Sequence, residues 1–275
     1  MKKYALGLLA GLLLGTSAMA QNIYPISREM GSGTRGAFVE IFEIQKKLNN
    51  KKVDATTQKA EVTNSTGVMI TTVAGSKNSI GYISLGALNN TVKALKIDGV
   101  APSVENINNK SYKISRPFNV VTKTTNPLME DFLKYSASAE AKGIVEKAGY
   151  IAVAQTNFTS TQPRGKLVIA GSSSVTPLME KLTEAYAKIN PNATIEIQQS
   201  DSTTGVNSVV EGIADIGMVS REVKDSEIQK GVTPIVLAID GLAVIVNKSN
   251  KIENLSKDSV KKIFMGEITK WQDAK

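Results

Sequence analysis

The chain has 275 residues, 41% of them hydrophobic and 21% charged, with a formal charge of +8 at neutral pH. Those fractions are ordinary for a globular protein, and the length allows one large domain or two small ones. Cysteine and histidine are both absent, which excludes disulfides, thiolate metal sites, a Ser-His-Asp triad, a Cys-His pair and a histidine general base.

Residues 1–20 read as a secretory signal. Lys2 and Lys3 form a charged start, residues 4–15 form a short apolar run, and Ala18-Met19-Ala20 is a small-residue cleavage site. The mature chain is then expected to begin at Gln21, in a periplasm. No cysteine follows the cleavage site, so a lipid anchor there is not expected. Losing the two lysines leaves a charge of +6, which suits an anionic ligand or an acidic partner. The basic residues are dispersed, aromatics are only 5%, and no nucleic-acid motif is present, so a nucleic-acid partner is not expected.

The first junction is Ser27-Arg28-Glu29-Met30-Gly31-Ser32-Gly33-Thr34-Arg35-Gly36. It reads as a loop feeding a helix whose apolar stripe is Ala37, Phe38, Ile41, Phe42 and Leu48. The glycines permit close backbone approach, and Ser32 and Thr34 supply hydroxyls and a cap. Free N–H groups at a helix start favour an anion, and Arg28 and Arg35 can each offer a planar fork to it. Residues 49–64 are polar and lysine-rich and read as loop or helix end. Residues 68–73 read as a strand or short helix, and 80–85, 92–97 and 112–122 as strands. Helices are expected from Asn126-Pro127 and over 139–148. Residues 154–165 read as a polar linker.

A second unit opens with a short strand at 167–170, the loop Gly171-Ser172-Ser173-Ser174-Val175-Thr176, and Pro177 in the first turn of a helix. A strand over 193–198 leads through Ser200-Asp201-Ser202-Thr203-Thr204-Gly205 into another helix. Strands follow at 215–219, 235–239 and 242–246, and a helix capped by Ser256. This alternation predicts an α/β fold with mainly parallel sheets, in which ligands sit beyond the carboxyl ends of the strands. Three Gly/Ser/Thr-rich junctions feeding helix N-termini exceed what capping alone requires. They point to a small tetrahedral oxyanion held by amides, hydroxyls and one or two arginines. No metal or cofactor is expected.

Three stretches then carry a family resemblance: Val168-Ile-Ala-Gly-Ser-Ser-Ser-Val-Thr-Pro177, Ala214-Asp-Ile-Gly-Met-Val-Ser-Arg221 and Ser27-Arg-Glu-Met-Gly-Ser-Gly-Thr-Arg-Gly36. With segments 80–86 and 266–271, they resemble the phosphate-binding proteins of bacterial ABC phosphate importers. The order differs from the family's usual one, in which the segment like 167–271 comes first. That pattern resembles a circular permutation; a piece of a longer tandem protein is the other arrangement. The resemblance implies a two-lobed periplasmic-binding-protein fold (type II) with the ligand cleft between lobes. One lobe would be continuous over 98–240, with the linker inside it; the other would combine 21–97 with 241–275.

Carried over residue by residue, the resemblance implies phosphate ligands at Ser173, Ser174, Val175 and Ser202 in one lobe. Arg28, Ser32, Gly33 and Thr34 close from the other, with Ser220 and Arg221 after the Gly-Met strand. Better-known members carry an aspartate at that last place, which accepts the proton of hydrogen phosphate. Here Ser220-Arg221-Glu222 stands there, with Glu222 as a possible substitute acceptor or a surface carboxylate. The implied function is capture of inorganic phosphate and delivery to the membrane permease of an ABC importer, by a monomer performing no chemistry. The alternatives are a receptor for another tetrahedral oxyanion and one serving phosphate sensing. A phosphatase would need a nucleophile with a base or metal, and only Asp201 and Ser202 lie near the motif.

Overall fold

A computed structural model describes residues 21–153 and 156–274. The signal over 1–20 and the first two residues of the expected linker lie outside the described residues. One mixed sheet path runs through the molecule. Its strands, in order, are Ala193–Ser200, Gly165–Ser172, Ile216–Val219, Ser115–Thr122, Thr233–Asn247, Ser79–Ser84, Tyr24–Arg28 and Glu61–Thr63.

The first three strands pair in parallel, and so do the last three. The pairings in between are antiparallel. The two strands expected at 235–239 and 242–246 are one continuous 15-residue strand. Its first half pairs with Ser115–Thr122 and its second with Ser79–Ser84. The chain thus crosses between two lobes on adjacent antiparallel strands.

The apolar clusters define the lobes. Phe118, Phe132, Leu167, Leu182, Tyr186 and Ala238 share one core, with Val121, Val206 and Val219 in a smaller one beside it. Phe38, Tyr82, Leu242, Val260 and Phe264 share the other core, with Ile26, Met69 and Ile245 beside them. Ile107, Tyr112 and Ile114 belong to this second core. The packing therefore puts the first crossing at Ser115, where the sequence suggested 97/98. Residues 98–114 carry too little apolar periodicity to reveal which core they join.

Two expectations about local structure change. The opening helix is Gly33–Ile41, and Leu48 is not on it. Glu43 takes φ of 55°, which ends the helix, and the strands Gln45–Leu48 and Lys51–Asp54 form a hairpin. Asn49 and Asn50 form its two-residue turn at φ of 49° and 59°, the left-handed pair that such hairpins need. Both strands are lysine-rich and exposed, so no apolar alternation announced them. The stretch at 68–73 takes the helical one of its two expected forms, within Thr66–Gly75, capped by Ser65.

The described part of the expected linker is fastened to its lobe. Ser160 Oγ, Thr161 N–H and Thr161 Oγ donate to Asp131, as does the hydroxyl of Tyr186. Asn190 Nδ2 donates to the Pro163 carbonyl at 2.9 Å.

Glycine is required where the Ser202–Val210 helix meets the sheet. A Cβ on Gly205 would lie 2.8 Å from Gly171 Cα and 2.9 Å from the Ala170 carbonyl oxygen. Gly171 itself has φ of 129°. Backbone cannot yield as a side chain does, so Gly205→Ala should cost about 2 kcal/mol, in the range of overpacked cores. Urea unfolding checks this; an unchanged midpoint would contradict the packing.

Candidate anion-binding site

The carboxyl ends of six strands face the lobe junction: Arg28, Thr63, Ser84, Ser172, Val219 and Ser200 are their last residues. Four helix N-termini meet there as well. These are Gly33–Ile41, Thr66–Gly75, Thr176–Ile189 and Ser202–Val210. Each brings amides that have no partner within their own helix, and the positive end of a helix dipole.

Hydroxyls fill the junction, and those of Thr34, Thr66, Ser172, Ser173, Ser174, Ser202 and Ser220 are buried. Thr34 Oγ1 lies 2.8 Å from Ser174 Oγ. Thr66 Oγ1 lies 2.9 Å from the same Ser174 oxygen, and the Thr66 amide donates to Ser173 Oγ at 3.2 Å. Ser172 Oγ donates to Ser220 Oγ at 2.9 Å, and the Ser220 amide donates to Ser202 Oγ at 3.0 Å. Thr34 and Ser202 each lie 3.4 Å from Ser220 Oγ. Gly33 permits this approach, since a Cβ there would sit 2.3 Å from Ser202 Oγ. The Thr203 amide and hydroxyl both donate across the junction to the Gly31 carbonyl at 3.2 Å.

Arg28 is 2% exposed. Its Nη2 donates to Ser173 Oγ at 3.2 Å and its Nη1 to Thr66 Oγ1 at 3.4 Å. Glu29 takes Nε and Nη2 in a bidentate pair at 2.7 and 2.6 Å. That pair orients the guanidinium toward the hydroxyls. The Arg28 amide donates to the Tyr82 hydroxyl at 3.2 Å, 2.9 Å from Ser27 Oγ. Burial, partly offset by Ser27 and the Arg28 amide, pushes the Tyr82 phenol up to about 12. It is therefore a neutral donor at physiological pH.

The expected residues fall into two groups. Thr34, Ser173, Ser174, Ser202, Ser220 and Arg28 share the junction. Gly33 lies at the contact, and Ser32 caps its helix by accepting from the Arg35 amide. Val175 is buried at the start of the Thr176–Ile189 helix, where its N–H donates to the Ser172 carbonyl. Asp201 caps its own helix through Thr204.

Both other arginines are committed elsewhere. Arg35 binds Asp54 at 2.7 Å and the Arg28 carbonyl at 2.7 Å, so it braces the Arg28 backbone. Arg221 forms a bidentate pair with Glu227 at 2.7 and 2.8 Å. That pair commits most of its guanidinium, whose Nη2 also donates to Thr203 Oγ1 at 3.4 Å, in contrast to the ligand role expected of it. The physical reason is the short Asp225–Ile228 helix, which carries a buried carboxylate six residues on. Glu222 is exposed and offers only its carbonyl to Arg221.

Thr66 was missed, although Ser65-Thr66 ahead of an apolar run is the same junction signature as the other three. The buried Arg116–Asp240 pair was missed too, because each lies inside an unremarkable strand. Among the described residues, no carboxylate is hydrogen-bonded to Thr34, Thr66, Ser172, Ser173, Ser174, Ser202 or Ser220. The hydroxyls are therefore free to donate to an incoming acceptor.

Two α/β lobes joined by two crossing strands, with strand ends and helix N-termini at a buried polar junction, define the fold of a two-lobed solute-binding protein. A model described as a PBP superfamily domain matches residues 12–140 and 156–275. "Phosphate-binding protein PstS 2" of Streptococcus agalactiae is 51% identical over 273 residues, covering 98% of this chain and 93% of that protein. Its namesake in Streptococcus pneumoniae is 44% identical over 91% of this chain and 87% of that one. The crystal structure of a phosphate ABC transporter's phosphate-binding protein from S. pneumoniae aligns with a TM-score of 0.72 and 44% identity. That alignment covers 92% of this chain and all of the other. The chain belongs to the PBP superfamily, within the family of the PstS phosphate-binding proteins.

The carboxylates set the response to pH. Burial raises Asp54, Asp131 and Glu227, but hydrogen bonds and, for Asp54 and Glu227, the partner arginines outweigh it and hold all three below the carboxylate range. Their stabilisation is full above the unfolded values of about 4 and is lost as pH falls through the folded ones. Without histidine, no side chain at its ordinary value titrates between about pH 5 and 8. Thermal unfolding should therefore be flat from about pH 6 to 8 and fall steeply below about pH 4. A sharp change near neutrality would contradict this.

Proposed function

We propose that this protein captures inorganic phosphate between its lobes and delivers it to the membrane permease of an ABC importer. One observation carries the reading: four helix N-termini, seven hydroxyls and Arg28 converge on one buried junction between the two lobes. The names of the relatives agree with it. The proposed ligands are Arg28, Ser32, Gly33, Thr34, Ser173, Ser174, Val175, Ser202 and Ser220, with Thr66 added from its place in the network.

In this reading the lobes part at the crossing strands, and phosphate enters. Its oxygens replace hydroxyl–hydroxyl bonds with charge-assisted ones, which are shorter and about twice as strong. Closure restores the Thr203–Gly31 bonds across the junction. Arg28, Arg35 and Arg221 are each paired with a carboxylate, so binding rests on directed donors rather than on net charge.

No covalent step is part of this reading, which makes the protein a carrier and not an enzyme. Export to the periplasmic side of the membrane accords with the sequence signal, and among the described residues no helix is long and apolar enough to cross a membrane. The protein is proposed to act as a monomer.

A permuted segment order is part of the proposal. The family model matches in two stretches that break close to the 154–165 linker. The other ends are adjacent: Asn22 bridges Lys270, and the Trp271 amide donates to the Gln21 carbonyl at 3.0 Å. Surface connections of that kind can be moved without altering the core.

Among the described residues no carboxylate is hydrogen-bonded to the seven junction hydroxyls, which favours one second reading, a receptor that also accepts fully ionised oxyanions such as sulfate. Calorimetric titration of anion-free protein separates the two. One-to-one binding of phosphate with no response to sulfate supports the first, and binding of both supports the second. Arg28→Ala should weaken phosphate binding at least a hundredfold, matching about 3 kcal/mol for a buried charged donor. Unchanged affinity in that variant would overturn the site.

A further inference from the structure

Arg116 and Asp240 sit opposite each other on the two strands that cross between the lobes. They are 3% and 0% exposed. Arg116 Nε and Nη2 donate to Asp240 Oδ2 at 3.1 and 3.0 Å. The remaining arm, Nη1, donates to the Ser220 carbonyl at 2.9 Å. Asp240 Oδ1 accepts from Ser84 Oγ at 2.7 Å and from the Gly86 amide. The guanidinium carbon lies 5.2 Å from the centre of the Phe118 ring.

The pair therefore holds both halves of the junction. Ser220 follows the Ile216–Val219 strand of one lobe and contributes its amide and hydroxyl to the site. Ser84 ends the Ser79–Ser84 strand of the other lobe. Next to the pair, the Tyr150 ring packs on Gly86, where a Cβ would meet its Cζ at 2.2 Å.

Stability does not account for such a pair. Desolvating two charges costs about what their attraction returns, and an apolar pair of equal volume packs as well or better. Burial drives the Asp240 carboxyl up and the Arg116 guanidinium down, against their mutual attraction. Directed hydrogen bonds are what an apolar pair cannot supply. Here those bonds reach one ligand-bearing loop and the far lobe at once.

We propose that Arg116 and Asp240 form a hinge pin: Asp240 fixes the guanidinium on the crossing strands, and the guanidinium holds Ser220 in register with Ser202 as the lobes close. Neither residue touches phosphate. Both are positioning residues, and the inference rests on the phosphate-binding reading above.

The test compares the wild-type mature chain, freed of bound anion, with Arg116→Lys, Asp240→Asn and the neutral double variant Arg116→Met/Asp240→Leu. Phosphate titration gives affinity, urea unfolding gives stability, and small-angle scattering with and without phosphate gives closure. The double variant should unfold at or above the wild-type urea midpoint, yet bind phosphate at least tenfold more weakly and contract less on binding. Arg116→Lys keeps the charge but cannot reach Asp240 and the Ser220 carbonyl together. It should also lose about tenfold, and it keeps the test open if the double variant fails to fold. Wild-type affinity in either variant would overturn the pin. So would affinity that falls only in step with stability and returns in the double variant. If the wild-type chain itself fails to bind phosphate, the functional reading falls first and the pin falls with it.

Discussion

Four helices point their N-terminal amides toward one another across the lobe junction, and their positive dipole ends repel unless acceptors lie between them. In this structure several of the acceptors are hydroxyl oxygens, beside the Asp201 carboxylate and the Gly31 carbonyl at the Ser202–Val210 helix. Ser173 Oγ takes the Thr66 amide and an Arg28 arm, and Ser202 Oγ takes the Ser220 amide. A hydroxyl can accept and donate, so the same atoms that satisfy the closed junction can turn their protons toward an anion. Fixed carboxylates would satisfy the amides better but would repel that anion. This choice of acceptor explains why serine and threonine dominate, and why Glu29 and Glu227 are tied to arginines.

The surrounding architecture serves that junction. Parallel strands on each side deliver their carboxyl ends to one place, and the antiparallel crossing strands bring the two sets together. Gly31, Gly33 and Gly205 remove the side chains that would keep backbones apart. Arg35 and Glu29 hold Arg28 from behind, through its carbonyl and its guanidinium. The core packs close to this shell: Phe38, one turn into the first helix, stacks on Tyr82 with ring centres 3.8 Å apart. The Tyr82 hydroxyl in turn receives the Arg28 amide.

Most strands and helices were legible because each lobe buries continuous apolar runs between Gly/Ser-rich turns, as at 167–170 and 216–219. The junction residues were legible for a related reason, since their residue types repeat three times at helix starts. What failed was information stored in long-range packing. The lysine hairpin has no buried face to pattern, and residues 98–114 join a core that only the folded chain defines. Arg221 and Glu227 show the same limit. An arginine beside a binding motif reads as a ligand until the structure reveals a carboxylate six residues on. The partners of the Arg116–Asp240 pair stand 124 positions apart, and no local pattern connects them.

The most direct measurement is a crystal structure of the mature chain grown with phosphate. The account predicts one tetrahedral anion at the junction, accepting from Arg28 and Thr66 on one side and from Ser173, Ser174 and Ser202 on the other. Arg221 should remain on Glu227. An anion bound elsewhere, or a junction that stays closed on its own hydroxyls in saturating phosphate, would contradict it.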